Sequence, residues 1–188
     1  MKLLTNPLAL AILFASIWSI PALAVDLKAG AEKAENCAGC HGGKGQSSNP
    51  QVPNLAAQHS AYLVNQLTNF KSGARKNATM QAMAANLSDD DINNIAGHFS
   101  GLAAVKASGD AALAKSGKAK AGMCLGCHGT DATGGGQVPR LAGQQPEYIV
   151  QQLKSFKDGS RNGGPMKAVA GNLSDDDMKE IAAYLSGL

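Results

Sequence analysis

The pentapeptide Cys37-Ala38-Gly39-Cys40-His41 returns as Cys124-Leu125-Gly126-Cys127-His128, and these two Cys-x-x-Cys-His units contain all four cysteines of the 188-residue chain. The units lie 87 positions apart. Repetition continues beyond them at an offset of 86: Gln51-Val52-Pro53 matches Gln137-Val138-Pro139, and Leu55, Gln58 and Tyr62 match Leu141, Gln144 and Tyr148. Phe70-Lys71, Arg75 and Asn86-Leu87-Ser88-Asp89-Asp90-Asp91 match Phe156-Lys157, Arg161 and Asn172-Leu173-Ser174-Asp175-Asp176-Asp177. One residue has been gained or lost in the glycine-rich loop after the histidine. A long period that occurs only twice indicates duplicated domains rather than a solenoid. Each domain then folds from about 80 residues, a size at which a hydrophobic core is marginal.

Two residues between the cysteines let a tight turn carry both thiols to neighbouring positions on a porphyrin edge. A histidine directly after the second can point its ring across the macrocycle face. The spacing therefore points to covalent haem c attachment, one haem per domain, through Cys37 and Cys40 and through Cys124 and Cys127, with His41 and His128 on iron. A zinc ribbon brings its Cys-x-x-Cys pairs within about 15 to 20 residues of each other. A thioredoxin-like dithiol needs a βαβ context that this sequence lacks, and does not need the histidine twice. A disulfide within each pair would remove the thiols that haem requires. A buried haem would also supply the apolar volume that domains this small are missing.

Lys2 precedes an apolar stretch from Pro7 to Ile20, and Pro21-Ala22-Leu23-Ala24 follows with small residues at the positions a signal peptidase reads. Residues 1–24 are thus expected to be a signal peptide cleaved after Ala24. As a membrane anchor the run falls short of the ~20 residues a spanning helix needs. No second apolar run of that length follows, so the mature chain is expected to be soluble, periplasmic and without a transmembrane segment, which suits covalent haem attachment. Cleavage leaves 164 residues (188 minus 24), with 16 basic and 14 acidic side chains once Lys2 is gone. Four propionates on two haems would offset even this small excess, so charge excludes nucleic acid as a partner.

The secondary structure reads as helices joined by long loops. Alanine-rich segments from Lys28 to Cys37 and from about Ala111 to Cys124 suit helices leading into the haem motifs. Ser60 to Phe70 and Glu147 to Phe156 place apolar residues at helical spacing. Ser88 and Ser174 read as N-caps, each followed by three aspartates that suit the positive end of a helix. Those aspartates are therefore helix starts rather than metal ligands, and the last helices run to Ser100 and Ser186. Ala103 to Asp110 reads as the connection, with Ser108-Gly109 as its most flexible point. This sets domains at 25–103 and 111–188 with a linker at 104–110.

A second axial ligand decides what each iron can do, since methionine raises the potential and closes the iron to exogenous ligands. Of Met80, Met83, Met123, Met166 and Met178, only Met80 and Met166 are equivalent at the 86-residue offset. Each falls just before a capped helix, in a segment read as flexible. Met83 and Met178 read as core filling, and Met123 is poorly placed next to Cys124. His59 and His98 align with Gln145 and Tyr184, so they read as surface or packing residues. Pro53 and Pro139 lie 12 and 11 residues beyond the haem histidines. Spacing alone leaves them either ordinary turn prolines or donors of a carbonyl to histidine Nδ1.

These segments together resemble tandem class I cytochrome c domains, and most closely the dihaem cytochromes c4. The resemblance is carried by C-A-G-C-H, V-P-N-L-A-A-Q, Y-L-V-N-Q-L, F-K-S-G-A-R, Met80 and L-S-D-D-D, and by C-L-G-C-H, V-P-R-L-A-G-Q, Y-I-V-Q-Q-L, F-K-D-G-S-R, Met166 and L-S-D-D-D. It implies an all-α fold of two small helical domains around covalently bound haem. It also implies His41/Met80 and His128/Met166 ligation and haem-facing carbonyls at Pro53 and Pro139. The implied role is a periplasmic electron carrier rather than an enzyme. Its donor would be a quinol-cytochrome c reductase and its acceptor a terminal oxidase, with peripheral membrane association compatible with such partners. A dihaem peroxidase or a haem-based ligand sensor would need an open iron, against which the matched methionines argue. Asn54 opposite Arg140, and Ala57 opposite Gly143, depart from the repeat and mark the two haem surfaces as different.

Overall fold

The computed structural model describes residues 25–188, among which the regular secondary structure is α-helix, with one isolated bridge between Gly135 and Val138. The expected signal peptide falls outside the described residues. Helix α1 (Leu27–His41) starts at Asp26, whose carboxylate accepts the N–H groups of Lys28 and Ala29. It stops at Gly42, whose φ of 79° favours glycine, and a β-carbon there would stand 2.0 Å from the Gln46 carbonyl oxygen. Helix α2 (Ser60–Lys71) is followed by a short α3 (Ala78–Ala84) and by α4 (Asp89–Ser100).

In the second half the counterpart of α1 is broken into α5 (Ala111–Lys120) and α6 (Gly122–His128). Gly122 stands where α1 has Glu35, and glycine is about 1 kcal/mol poorer than alanine in a helix. Then follow α7 (Pro146–Asp158), α8 (Pro165–Gly171) and α9 (Asp175–Ser186). Both last helices carry the full capping box, Ser88 with Asp91 and Ser174 with Asp177. Lys33 on α1 reaches Asp91 at 3.0 Å, and Lys120 on α5 bonds Asp177 and Glu180, so the third aspartate of each cluster both caps its helix and ties it to the first.

In each half the first and last helices cross closely at a glycine. Gly30 in α1 faces the backbone of Asn94 in α4, and Gly117 in α5 faces that of Glu180 in α9. Around these crossings lie two cores. Ala34, Leu63, Ile95, Ala96 and Phe99 form the first; Ile149, Leu153, Phe156, Met178, Ile181 and Leu185 stand at the centre of the second.

Residues 103–110 carry no helix and come close to the second half at Val105 and Gly109. The Val105 carbonyl passes so close to Gly143 that a β-carbon there would sit 1.9 Å from its oxygen. Ala57, the counterpart of Gly143, holds the same left-handed backbone, with φ of 55° against 74°. Their N–H groups make the same bond, to Phe99 and to Leu185, each at 3.0 Å. The connecting segment thus accounts for glycine at one position and alanine at the other. Gly109, expected at the most flexible point, lies against Ala183, where a β-carbon would fall 2.5 Å from the carbonyl oxygen. Close approach explains that glycine.

The halves face each other across a reciprocal set of hydrogen bonds. Arg75 donates to Tyr148 Oη at 3.0 Å and to Gln152 at 2.8 Å, and Arg161 donates to Tyr62 Oη and Gln66, both at 3.0 Å. Each guanidinium also lies over its own domain's phenylalanine, Phe70 or Phe156, about 4.5 Å from the ring centre.

Candidate haem-binding sites

The last residue of α1 is His41 and the last of α6 is His128, so each imidazole leaves a helix end beside its cysteine pair. Both rings are buried, at 7% and 6% exposure. The loop beyond each histidine is folded back by one carbonyl. Gly45 O accepts the N–H groups of Leu55 and Ala56, and Ala132 O accepts those of Leu141 and Ala142. Ala132 takes the left-handed conformation (φ 53°) that glycine supplies at position 45, at a cost of roughly 1–2 kcal/mol.

This return brings the prolines to the histidines. Pro53 O lies 2.9 Å from His41 Nδ1, and Pro139 O lies 2.8 Å from His128 Nδ1. A carbonyl only accepts, so Nδ1 carries the proton in both rings. Nε2 is left with a lone pair for a metal. Burial lowers the basicity of both imidazoles against the opposing pull of the carbonyls, which favours the neutral, ligating form.

All four cysteines are free thiols. Cys40 and Cys127 are exposed, Cys37 is half-buried and Cys124 is buried. Burial pushes the Cys37 and Cys124 thiols up, and the neighbouring Cys40 raises Cys37 further. Among the described residues no three His, Cys, Asp or Glu side chains gather as a metal cluster, so the two cysteine pairs do not converge on a zinc ion. Unpaired thiols beside an imidazole whose Nε2 is free are the donor set that covalent haem requires, and the residues present fit the group twice.

Met80 and Met166 are half-buried, and Met166 packs against the second core. The segments expected to be flexible are short helices, α3 and α8. Asn77 caps the first by accepting Met80 N–H at 2.9 Å, and Pro165 opens the second at a position where a missing N–H costs nothing. Met178 is fully buried, as core filling requires. Met83, expected in the core, is 44% exposed, and Met123 is 56% exposed. The seven-residue α3 is too short to bury both of its faces. His98 packs edge-on against Phe99 with ring centres 5.2 Å apart, and His59 Nε2 lies 2.8 Å from Thr133 O of the other half.

Sequence reasoning gave Gln58 and Gln144 no role and took Asn54 and Arg140 as a difference between haem surfaces, whereas they lie in the contact between the halves. Asn54, Gln58 and Gln144 are buried polar side chains, and with Arg140 they bond across the domain contact. The signal was present, since Gln58 and Gln144 repeat at the 86-residue offset, but a repeated glutamine has no chemistry of its own to single it out.

Comparison with known proteins divides along the same halves. Residues 27–102 match the family described as Cytochrome c, and residues 111–185 match that described as Cytochrome C oxidase, cbb3-type, subunit III. Cytochrome c4 of Pseudomonas aeruginosa is 37% identical over 179 aligned positions, covering 87% of this chain and 89% of that protein. The thiosulfate dehydrogenase electron acceptor of Thiomonas intermedia is 38% identical over 197 positions, covering 95% of this chain and 89% of that one. The crystal structure of reduced recombinant cytochrome c4 from Pseudomonas stutzeri matches with a TM-score of 0.80 at 36% identity, covering 88% of this chain and all of that one.

Proposed function

The chain belongs to the cytochrome c4 family of dihaem electron carriers, and from that premise we propose that it passes single electrons between respiratory partners in the periplasm, with His41 and Met80 holding one iron and His128 and Met166 the other. The observation that supports this most is the matched pair of histidine–proline bonds, which fixes the same tautomer in both domains. Bound haem supplies the one-electron chemistry. Four thiols anchor the two groups, the imidazoles present Nε2 to them, and the proline carbonyls hold the rings in place. Met80 and Met166, as the second ligands, would exclude exogenous ligands and raise the potential into a carrier's range. Among the described residues no helix is long and apolar enough to cross a membrane.

The proposed donor is a quinol-cytochrome c reductase and the proposed acceptor a terminal oxidase. The name of the Thiomonas relative supports a second donor class, a dehydrogenase of reduced sulfur compounds. Two measurements test haem attachment and then ligation. Mass spectrometry under denaturing conditions should find two haems per chain. The oxidised protein should show the weak absorption near the red end of the spectrum that marks sulfur on ferric haem. Met80→Ala and Met166→Ala should each remove half of that band, open one iron to cyanide and lower its potential, while Met83→Ala should leave all three unchanged. A Met83→Ala variant that behaved like Met80→Ala would refute the assignment.

A further inference from the structure

Two buried glutamines join each domain to the histidine of the other. The peptide unit between Pro53 and Asn54 offers its carbonyl to His41 Nδ1 at 2.9 Å, while its N–H donates to Gln144 Oε1 of the second domain at 2.7 Å. Gln144 Nε2 donates back to the Asn54 carbonyl at 2.9 Å. The same arrangement runs in the opposite direction. The Pro139 carbonyl lies 2.8 Å from His128 Nδ1, and the N–H of Arg140 donates to Gln58 Oε1 at 2.8 Å. Gln58 Nε2 donates to the Arg140 carbonyl at 3.0 Å. Each Oε1 also accepts a neighbouring N–H, that of His59 at 3.1 Å or of Gln145 at 2.9 Å, so both side-chain amides can point only one way. An aliphatic side chain would fill the same space. What glutamine adds is the pair of hydrogen bonds.

An amide is conjugated, so donation by its N–H moves electron density onto its own carbonyl oxygen, and hydrogen bonds in series polarise one another. A more negative Pro53 oxygen draws the His41 Nδ1 proton harder and makes Nε2 a more basic ligand. A more basic ligand favours ferric over ferrous iron and lowers the potential. We propose that Gln144 is a positioning residue for His41 and Gln58 for His128, each setting, through one peptide bond and across the domain contact, the reduction potential of the haem in the other domain. This rests on the reading of His41 and His128 as iron ligands.

The test is a redox titration of the holoprotein with both centres resolved by NMR, for wild type, Gln144→Met and Gln58→Met. Gln144→Met should raise the potential of the first-domain centre, move the His41 Nδ1 proton upfield and leave the second centre where it was; Gln58→Met should do the reverse. Gln144→Glu keeps an acceptor for the Asn54 N–H and should hold the first centre at or below its wild-type potential. If Gln144→Met fails to assemble, a rise in Gln144→Glu would be enough to overturn the proposal. A fall in potential in either methionine variant, or an equal shift of both centres, would mean that the substitution merely opened the interface to water, and would also overturn it. Wild-type spectra separate the premise from the inference. Missing hyperfine-shifted imidazole signals would defeat the ligation reading, whereas intact signals with unmoved potentials in the variants would defeat the glutamine coupling alone.

Discussion

Replacing Gly117 by alanine tests whether the second domain is built on the helix crossing seen here. A β-carbon at this position would stand 1.9 Å from the Glu180 carbonyl oxygen, 2.4 Å from its carbon and 2.9 Å from Ile181 N. Ordinary contact starts at 3.4 Å, and all three atoms are helix backbone that cannot rotate away. The helices must therefore part by about 1.5 Å, and α9 buries Met178, Ile181, Ala182 and Leu185 behind that contact. Overpacking of this kind costs about 1–3 kcal/mol. The better helix propensity of alanine returns about 1 kcal/mol. With backbone on both sides the upper part of the range applies, which leaves a net loss of about 1–2 kcal/mol, or a Tm lower by roughly 4–16 °C for a domain of this size. Thermal unfolding of the holoprotein, followed by circular dichroism, is the assay. Gly30→Ala, whose β-carbon would lie 2.1 Å from the Asn94 oxygen, should act in the same direction. Gly122→Ala meets nothing within 4 Å and should be neutral or slightly stabilising, since α1 carries a glutamate at the equivalent place. A Gly117→Ala variant with raised Tm would show that the helices do not approach as described and would refute the reasoning.

The domain contact and the helix caps give two further predictions. Arg161→Met leaves the Tyr62 hydroxyl without its donor and should destabilise the holoprotein by about 1–3 kcal/mol; a double-mutant cycle with Tyr62→Phe should show a coupling of the same order, and additive effects would exclude the bond as a cross-domain tie. The ammonium of Lys120, and then the Ser174 hydroxyl and N–H, hold the Asp177 carboxyl well below the usual carboxylate range. Because the folded-state value is depressed, this stabilisation is present above about pH 4 and is lost as pH falls towards the folded value. Asp177→Asn should therefore flatten the acid side of the Tm–pH curve between about pH 4 and pH 2, and an unchanged slope would exclude Asp177 as its source.

Much of this arrangement was legible because the sequence states it twice. Ser88 and Ser174 gave both last helices to the residue, since a hydroxyl followed by an aspartate three positions on satisfies two orphan donors at once. Proline spacing alone could not decide between a turn and a histidine partner. The answer lies in the Gly45 and Ala132 carbonyls that fold the loop back, and a carbonyl carries no residue identity that a sequence reader can see. Met83 was misplaced because periodicity shows which residues share a face, not whether anything covers it, and α3 is short enough to leave it in solvent. The break at Ala121 was missed for the opposite reason. Alanine favoured an uninterrupted helix, while the departure that mattered was a single glycine next to it.

Three of the positions where the repeat fails lie together. Asn54 opposite Arg140, Ala57 opposite Gly143 and His59 opposite Gln145 all belong to the contact between the domains. Asn54 sends its side chain across to Gly143 O at 2.8 Å, whereas Arg140 turns Nε to its own domain's Ala142 O at 3.1 Å. His59 and Gln145 each reach a carbonyl of the other half, Thr133 O at 2.8 Å and Ser47 O at 2.7 Å. A duplicated carrier with a haem c motif in both halves has little freedom to differ within the two Cys-x-x-Cys-His units. The residues that each half presents to the other are under no such constraint. Divergence there changes the surroundings of each histidine–proline bond without touching the bond itself, which gives two like sites a structural route to unlike potentials.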